Sequence, residues 1–487
     1  MAVREWLEKI SYTLLQGNLD EEVTEVIYDS RKAAEHTVFV CMKGANADSH
    51  QFIPDVLLSG CKVLVVEHPV AVPEDVTVIQ VENGRRALAC LSAARFGYPA
   101  EKMVTIGVTG TKGKTTTTHM IKAILEACKK KVGIIGTTGV VIGHETWPTV
   151  NTTPESFAIQ EAFDKMAKAG CEYAVMEVSS QGLKMHRVDG ICFDYALFTN
   201  LSPDHIGPNE HETFEEYLYW KSQIFTMAKV GILNRDDSHS EEIRKYAACP
   251  VYEYSLKTSC DFFADNIRCV AEDGFVGTEF DIKGRYEADV KVGVPGRFNV
   301  YNALGAFAVA SFLELPKNQA EQALKHLRVN GRMELVHSSP RCSVIVDYAH
   351  NAVSMESLLK TLREYHPKRL VCVFGCGGNR SKDRRYAMGE MGGRMADLCI
   401  LTADNSRFEK TEDILSDIKS ALIPTGGKYL EIPDRREAIS YAITHAQEGD
   451  MIAVIGKGHE DYQEENGVRR PFLDRAVIEE VVQSCRS

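Results

Sequence analysis

The chain has 487 residues, with 56 Lys plus Arg against 68 Asp plus Glu for a formal charge of −12, and is 44% hydrophobic and 25% charged. That length is too great for one ordinary core and reads as about three domains of roughly 150 residues; the composition fits neither a disordered chain nor a membrane-spanning one. An acidic chain lacks the clustered Lys and Arg that displace counterions from nucleic acid, so small-molecule chemistry is expected and no nucleic-acid partner.

The start, MAVREWLEKISYTLL, has no long apolar segment, and neither a signal peptide nor membrane insertion is expected. Residues 1–100 carry short β-rich runs (VTEVIYDSR, HTVFVCMKG, CKVLVVEHP, VTVIQV) broken by Gly, Pro and Asp, which predicts a small α/β domain. From Met103 a strand-like VTIGV leads through a glycine-rich turn into a helical TTTTHMIKAILEACKKK and then another buried-strand run, VGIIGTTGVVI. EYAVMEVSS and FDYALFTNLS continue this parallel pattern, and the polar–apolar alternation of 260–294 predicts antiparallel strands added to the same domain, 101–332. Beyond Gly331-Arg332 a new β/α alternation (CSVIVDYAH, RLVCVFGCGG, LCILTADNS, DMIAVIGKG) predicts a Rossmann-like domain over 333–487. The fold class is therefore α/β in three domains, the central one a parallel-sheet P-loop domain. The fourteen cysteines are scattered without zinc-site spacing, the nearest pair being Cys372 and Cys376. They read as reduced thiols of a cytoplasmic protein.

Gly110-Thr111-Lys112-Gly113-Lys114-Thr115-Thr116, between a strand and a helix, is the strongest local signal. Backbone N–H groups of such a loop close on phosphate oxygens, Lys114 supplies charge and the Thr115 hydroxyl suits Mg²⁺. The strict pattern wants glycine at Val108, so this is a variant of it. Glu177 ends the apolar run YAVMEV, where a carboxylate needs a cation, and metal coordination is its favoured role over a capping or salt-bridged glutamate. His205, in NLSPDHIG, follows another strand-like run and could reach the same sheet edge, where ligands of open α/β sheets gather.

TGTKGKTTT, MEVSS, LSPDHIG, PGRFNVYNALGA, NGRME and DYAH, in this order, resemble the Mur ligases of bacterial cell-wall synthesis, and the resemblance spans essentially the whole chain. DSR, NTTPES, FGCGGNR, DNSR and GKGHEDYQ are similar to the members that extend UDP-N-acetylmuramoyl-L-alanyl-D-glutamate by a third amino acid. The resemblance implies that ATP phosphorylates the D-glutamyl γ-carboxylate and that an amine displaces phosphate from the acyl phosphate. Water must be excluded and charge neutralised for this. It implies a catalytic set of Lys114, Glu177, His205 and Lys221, with Thr115, Glu177, His205 and a carbamate on Lys221 as metal ligands. Asn299 and Asn302 would contact the nucleotide, and Arg332 and Asp347 would close over it by domain motion. Ser30, Thr152, Thr153, Ser179 and Arg187 would bind the UDP-sugar dipeptide.

The resemblance further implies meso-diaminopimelate as the added amino acid, with L-lysine as the alternative. Asp404-Asn405-Ser406-Arg407 resembles the Asp-Asn-Pro-Arg of the diaminopimelate enzymes, and Arg407 would clamp the distal carboxylate. Arg380 would hold the other carboxylate, and Gly456 and Glu460 would frame and pair the distal ammonium. The 366–385 segment holds six Lys or Arg against one Asp, a local reversal of the chain's acidity. The domains 1–100, 101–332 and 333–487 would take UDP-sugar, ATP and amino acid in turn, in a chain acting as a monomer. A ligase resembling folylpolyglutamate synthetase, or a P-loop module that only binds or hydrolyses ATP, are the competing readings; the amino-terminal domain with DNSR and GKGHE argues against the first, and the cluster of Arg380, Arg407 and Glu460 has no purpose in the second.

Overall fold

The computed structural model describes residues 1–44, 48–204, 206–207, 210–272 and 275–485; His205, a proposed metal ligand, lies outside the described residues. The chain forms two compact units, Met1–Phe262 with Gly305–Pro316, and Phe263–Leu304 with Lys317–Ser487.

The first unit begins with a five-stranded sheet in the order Thr13–Gln16, Thr77–Gln80, Val63–Val66, Thr37–Val40, Glu25–Ile27, antiparallel only at the first pair. Its apolar runs are continuous because both faces are covered. Val38, Val40, Val63, Val65 and Ile79 pack with Leu88 and Leu91 of the helix Gly84–Arg95, while Phe39, Leu64, Val66 and Val78 pack with Ile53 and Val56. Asn83 caps that helix, its side-chain oxygen accepting from the Arg86 amide at 3.1 Å.

The same unit carries six parallel strands in the order Val251–Ser255, Ala228–Asn234, Phe193–Phe198, Val104–Thr109, Tyr173–Glu177, Val132–Gly136. Two antiparallel strands, Gly139–Ile142 and Glu145–Trp147, extend it. The run VGIIGTTGVVI is thus two strands rather than one. The pair Gly136 and Gly139 closes a hairpin over Thr137 and Thr138, so apolar character persists through a reversal that hydrophobicity alone does not mark.

In the second unit, Phe275–Gly284 and Ala288–Val292 pair antiparallel, as their alternation predicts. A six-stranded sheet follows the order Glu334–Ser338, Cys342–Asp347, Asp450–Ile455, Arg369–Phe374, Leu398–Leu401, Tyr429–Glu431. Only Glu334–Ser338 is antiparallel. The carboxyl ends of its central strands carry Tyr348, Gly456, Gly375 and Asp404 out of one edge, where an open α/β sheet receives ligands. All fourteen cysteines are free thiols, and no helix among the described residues is long and apolar enough to cross a membrane.

Candidate functional site

The phosphate loop is built around Gly110 and the N-terminus of the helix Lys114–Ala127. Gly110 has φ +147°, and a Cβ there would lie 1.9 Å from Thr199 Oγ1, so only glycine fits. The neighbouring strand end pins the loop: Thr199 Oγ1 donates to Lys112 O at 2.7 Å, and Asn200 accepts from the amides of Thr111 and Lys112 at 2.8 and 2.9 Å. Gly113 precedes the helix in the left-handed region, and the Lys112 side chain is exposed. Thr111 Oγ1 and Tyr217 OH are 2.9 Å apart; Thr116 is buried.

Lys114 and Lys221 converge on one acceptor. Both ammonium nitrogens lie 2.8 Å from Gly110 O, and Lys114 also reaches Thr111 O at 3.1 Å. Lys221, on the helix Phe214–Ser222, is 1% exposed. Burial, reinforced by the Lys114 charge and opposed by Asp204, drives its amine well below the ordinary lysine value. A neutral amine is the form that adds to CO₂.

Glu177, also 1% exposed, is held by donors alone. Its Oε2 accepts from Thr115 Oγ1 at 2.9 Å and Thr137 Oγ1 at 3.3 Å, and its Oε1 from the Thr137 amide at 2.8 Å. Desolvation raises its pKa despite Lys114 and these bonds, so the carboxylate would gain from a cation. Hard oxygen donors from Glu177 and Thr115 suit Mg²⁺. Thr137 also meets Thr152, hydroxyl to hydroxyl at 3.1 Å, and so links this carboxylate to the NTTP loop. Thr153 is fully buried: its hydroxyl donates to Glu177 O and accepts from the Ser179 amide, both at 2.9 Å. Ser179 caps the short helix Ser180–Lys184, and Arg187 Nη1 donates to Thr153 O at 3.0 Å. Ser30 opens the turn Ser30–Lys32, capped by Asp29.

Among the described residues, one group has metal-ligand spacing, Asp48, His50 and His68 in the first unit. His50 Nε2 accepts from the Glu67 amide at 3.0 Å, so Nδ1 bears the proton and donates to Asp48 at 2.5 Å. Both ring nitrogens are already used, which disfavours an ion.

In the second unit, Asn299 and Asn302 are buried on one helix face, with Asn302 Nδ2 donating to Asn299 Oδ1 at 2.8 Å and Asn299 Nδ2 to Pro295 O at 2.7 Å. Asp347 accepts the amides of Met333 and Ala349, each at 2.8 Å. Desolvation raises its carboxyl against these bonds and Arg332. The Arg332 guanidinium lies 5.2 Å from the centre of the Tyr348 ring.

A cavity of about 260 Å³ at the sheet edge is lined by Arg380, Asp404, Asn405, Arg407, Gly456 and Glu460, together with Tyr348, His350 and Arg384. Ser406 is buried outside that lining. Arg407 adopts φ +54°, its amide donating to Glu464 O at 3.0 Å and its Nη1 to Gly378 O at 2.9 Å, so backbone bonds orient it where a proline would have stiffened the preceding residue. Gly456, at φ +112°, leaves room for Asp404: a Cβ would lie 2.5 Å from Asp404 Oδ2. Three arginines and two carboxylate residues thus line one cavity, a charge pattern suited to a ligand carrying both signs.

Sequence reasoning passed over Thr137, Tyr217, Tyr348, Arg384 and Lys457. Lys457 lay inside GKGHE, beside a nominated residue, and could have been read; Thr137 sat within what looked like an unbroken strand.

Two family models match, the Mur ligase middle domain over residues 108–310 and the Mur ligase glutamate ligase domain over 331–458. The UDP-N-acetylmuramoyl-L-alanyl-D-glutamate–2,6-diaminopimelate ligase of Caldanaerobacter subterraneus subsp. tengcongensis is 39% identical over 470 residues, covering 96% of each chain. Its counterpart from Clostridium perfringens is 37% identical over 490 residues, covering 99% of this chain and 100% of that one. A solved structure of a ligase of the same name superposes with a TM-score of 0.79 at 28% identity, covering 100% of this chain and 99% of the other. With motifs, fold and full-length similarity in agreement, the chain belongs to the Mur ligase family.

Proposed function

We propose that the protein joins meso-diaminopimelate to the D-glutamyl γ-carboxylate of UDP-N-acetylmuramoyl-L-alanyl-D-glutamate, using ATP and Mg²⁺, in peptidoglycan precursor synthesis. The observation that carries this reading is the cavity lined by Arg380, Arg384 and Arg407 together with Asp404 and Glu460. Diaminopimelate has an amino and a carboxylate group at each end. L-Lysine lacks the distal carboxylate and would leave Arg407 without an anion.

Each residue set has a defined task in this reading. Gly110 to Thr116 hold the ATP phosphates, with Lys114 supplying charge. Mg²⁺, held by Thr115, Glu177, His205 and Lys221 as its carbamate, would neutralise phosphate charge. Asn299, Asn302, Arg332 and Asp347 bind the nucleotide. Ser30, Thr152, Thr153, Ser179 and Arg187 bind the UDP-sugar dipeptide, with Thr153 acting through the backbone it ties down. Residues 1–100, 101–332 and 333–487 divide UDP-sugar, ATP and amino acid among them, in a cytoplasmic monomer. The γ-carboxylate attacks the ATP γ-phosphorus and ADP leaves. The neutral amine then attacks the acyl carbon, phosphate leaves from the tetrahedral intermediate, and the amine proton passes to base or water.

Phosphate release measured with ATP, Mg²⁺ and the UDP-dipeptide should require an added amine. Release at the same rate without amine would identify a hydrolase instead, and release with a folate in place of the UDP-dipeptide would identify a different ligase.

A further inference from the structure

Glu460 is bonded on one side only. Its Oε2 accepts from Asn405 Nδ2 at 2.8 Å and from Lys457 Nζ at 3.2 Å, whereas Oε1 accepts no hydrogen bond among the described residues. Lys457 is fully buried, and its Nζ also donates to Asn405 Oδ1 at 3.2 Å while lying 5.2 Å from the centre of the Tyr462 ring. Asn405 Oδ1 accepts in addition from the Glu464 amide at 2.9 Å. With two donors on Oδ1, the Asn405 amide has one orientation, and its NH₂ must face Glu460. Lys457, Asn405 and Glu460 therefore close a triangle in which each side chain contacts the other two. A buried ammonium is costly unless its partners are fixed in place, and it fixes them in return.

We propose that Lys457 is a positioning residue for amine recognition: it holds Oε2 of Glu460 and orients Asn405, so that Oε1 is the oxygen presented to the distal ammonium of the incoming amino acid. This rests on the assignment of the cavity as the diaminopimelate site. Lys457 does not touch the substrate in this arrangement. It selects for the ammonium through the carboxylate, while Arg407 selects for the distal carboxylate.

The test compares kcat/KM for meso-diaminopimelate with that for 2-aminopimelate, which keeps both carboxylates and lacks the distal amine. The ratio does not depend on how much of a variant is folded. In Lys457→Met the ratio should fall at least tenfold, chiefly through the KM for diaminopimelate, with the KM for ATP within twofold of wild type. Lys457→Gln, a neutral donor of shorter reach, should recover part of the ratio. A Lys457→Met ratio within twofold of wild type, while Glu460→Gln lowers it, overturns the proposal and leaves Lys457 a filler of space. A Gln variant no better than Met contradicts orientation by hydrogen bonding and overturns it too. If Glu460→Gln leaves the ratio unchanged, the cavity assignment fails, and the proposal with it.

Discussion

Two lysine nitrogens on one carbonyl oxygen would be untenable if both were charged and dry. Lys221, buried beside Lys114, is the one whose amine is driven down. A lysine whose folded pKa lies below its unfolded value binds fewer protons when folded, so stability rises with pH between those two values and is lowest beneath both. Neutral pH lies below the unfolded value, so the fold bears some of this cost there. Lys221→Met should therefore leave the apparent melting temperature unchanged or raise it by about 2–4 °C, while ligase activity is lost. A drop of several degrees in a thermal scan would mean that the hydrogen bond to Gly110 outweighs the desolvation it requires. Nothing in YWKSQIF marked Lys221 as buried; its place came from resemblance alone, because one lysine in a short helix looks the same exposed or enclosed.

At the scale of elements, the hairpin of Val132–Gly136 and Gly139–Ile142 delivers Thr137 to both Glu177 and Thr152. Thr137→Val keeps shape and loses the hydroxyl. It should weaken the apparent affinity for Mg²⁺ and for the UDP-dipeptide by roughly 5- to 30-fold, the equivalent of about 1–2 kcal/mol for a part-buried bond to a charged group. Titrations of each against initial rate check this, and an effect confined to ATP would contradict it. The buried pair Arg435 and Asp474, neither side chain exposed, joins the helices Arg435–Thr444 and Asp474–Ser484, and Arg435 also donates to Ile455 O at 3.0 Å and Ala403 O at 3.3 Å. Arg435→Met strands a carboxylate and should cost about 3–5 kcal/mol, whereas the added Asp474→Leu should restore much of it. Amide exchange in the strand Asp450–Ile455 reports both. Strand runs were readable from the sequence because parallel strands buried on two faces are continuously apolar. The hairpin at Thr137, the strands Ala228–Asn234 and Val251–Ser255, and the buried pair were not, since tight turns between apolar strands and long-range ion pairs leave no periodic trace.

Over the whole molecule, the −12 charge describes the chain's overall acidity and gives no guide to sites meant for anionic substrates. Arg380, Arg384 and Arg407 nonetheless line one cavity of the second unit. Six motifs dispersed along the chain identified the family before any coordinate, because phosphate and amino-acid recognition demand particular residues at particular turns. What sequence could not give was which atoms are already spent: Thr153 and Ser179 turn their oxygens to the backbone, and Lys457 works behind Glu460.

The most direct measurement is the ratio of kcat/KM for meso-diaminopimelate to that for L-lysine, in the wild-type protein and in Arg407→Ala. Wild type should favour diaminopimelate strongly. Loss of Arg407 should lower diaminopimelate use by roughly 10- to 100-fold, as expected for a charge-assisted bond of about 1.5–3 kcal/mol, and leave lysine use nearly unchanged. A wild-type preference for lysine, or a ratio unmoved by Arg407→Ala, would contradict the assignment of this cavity to the distal end of diaminopimelate.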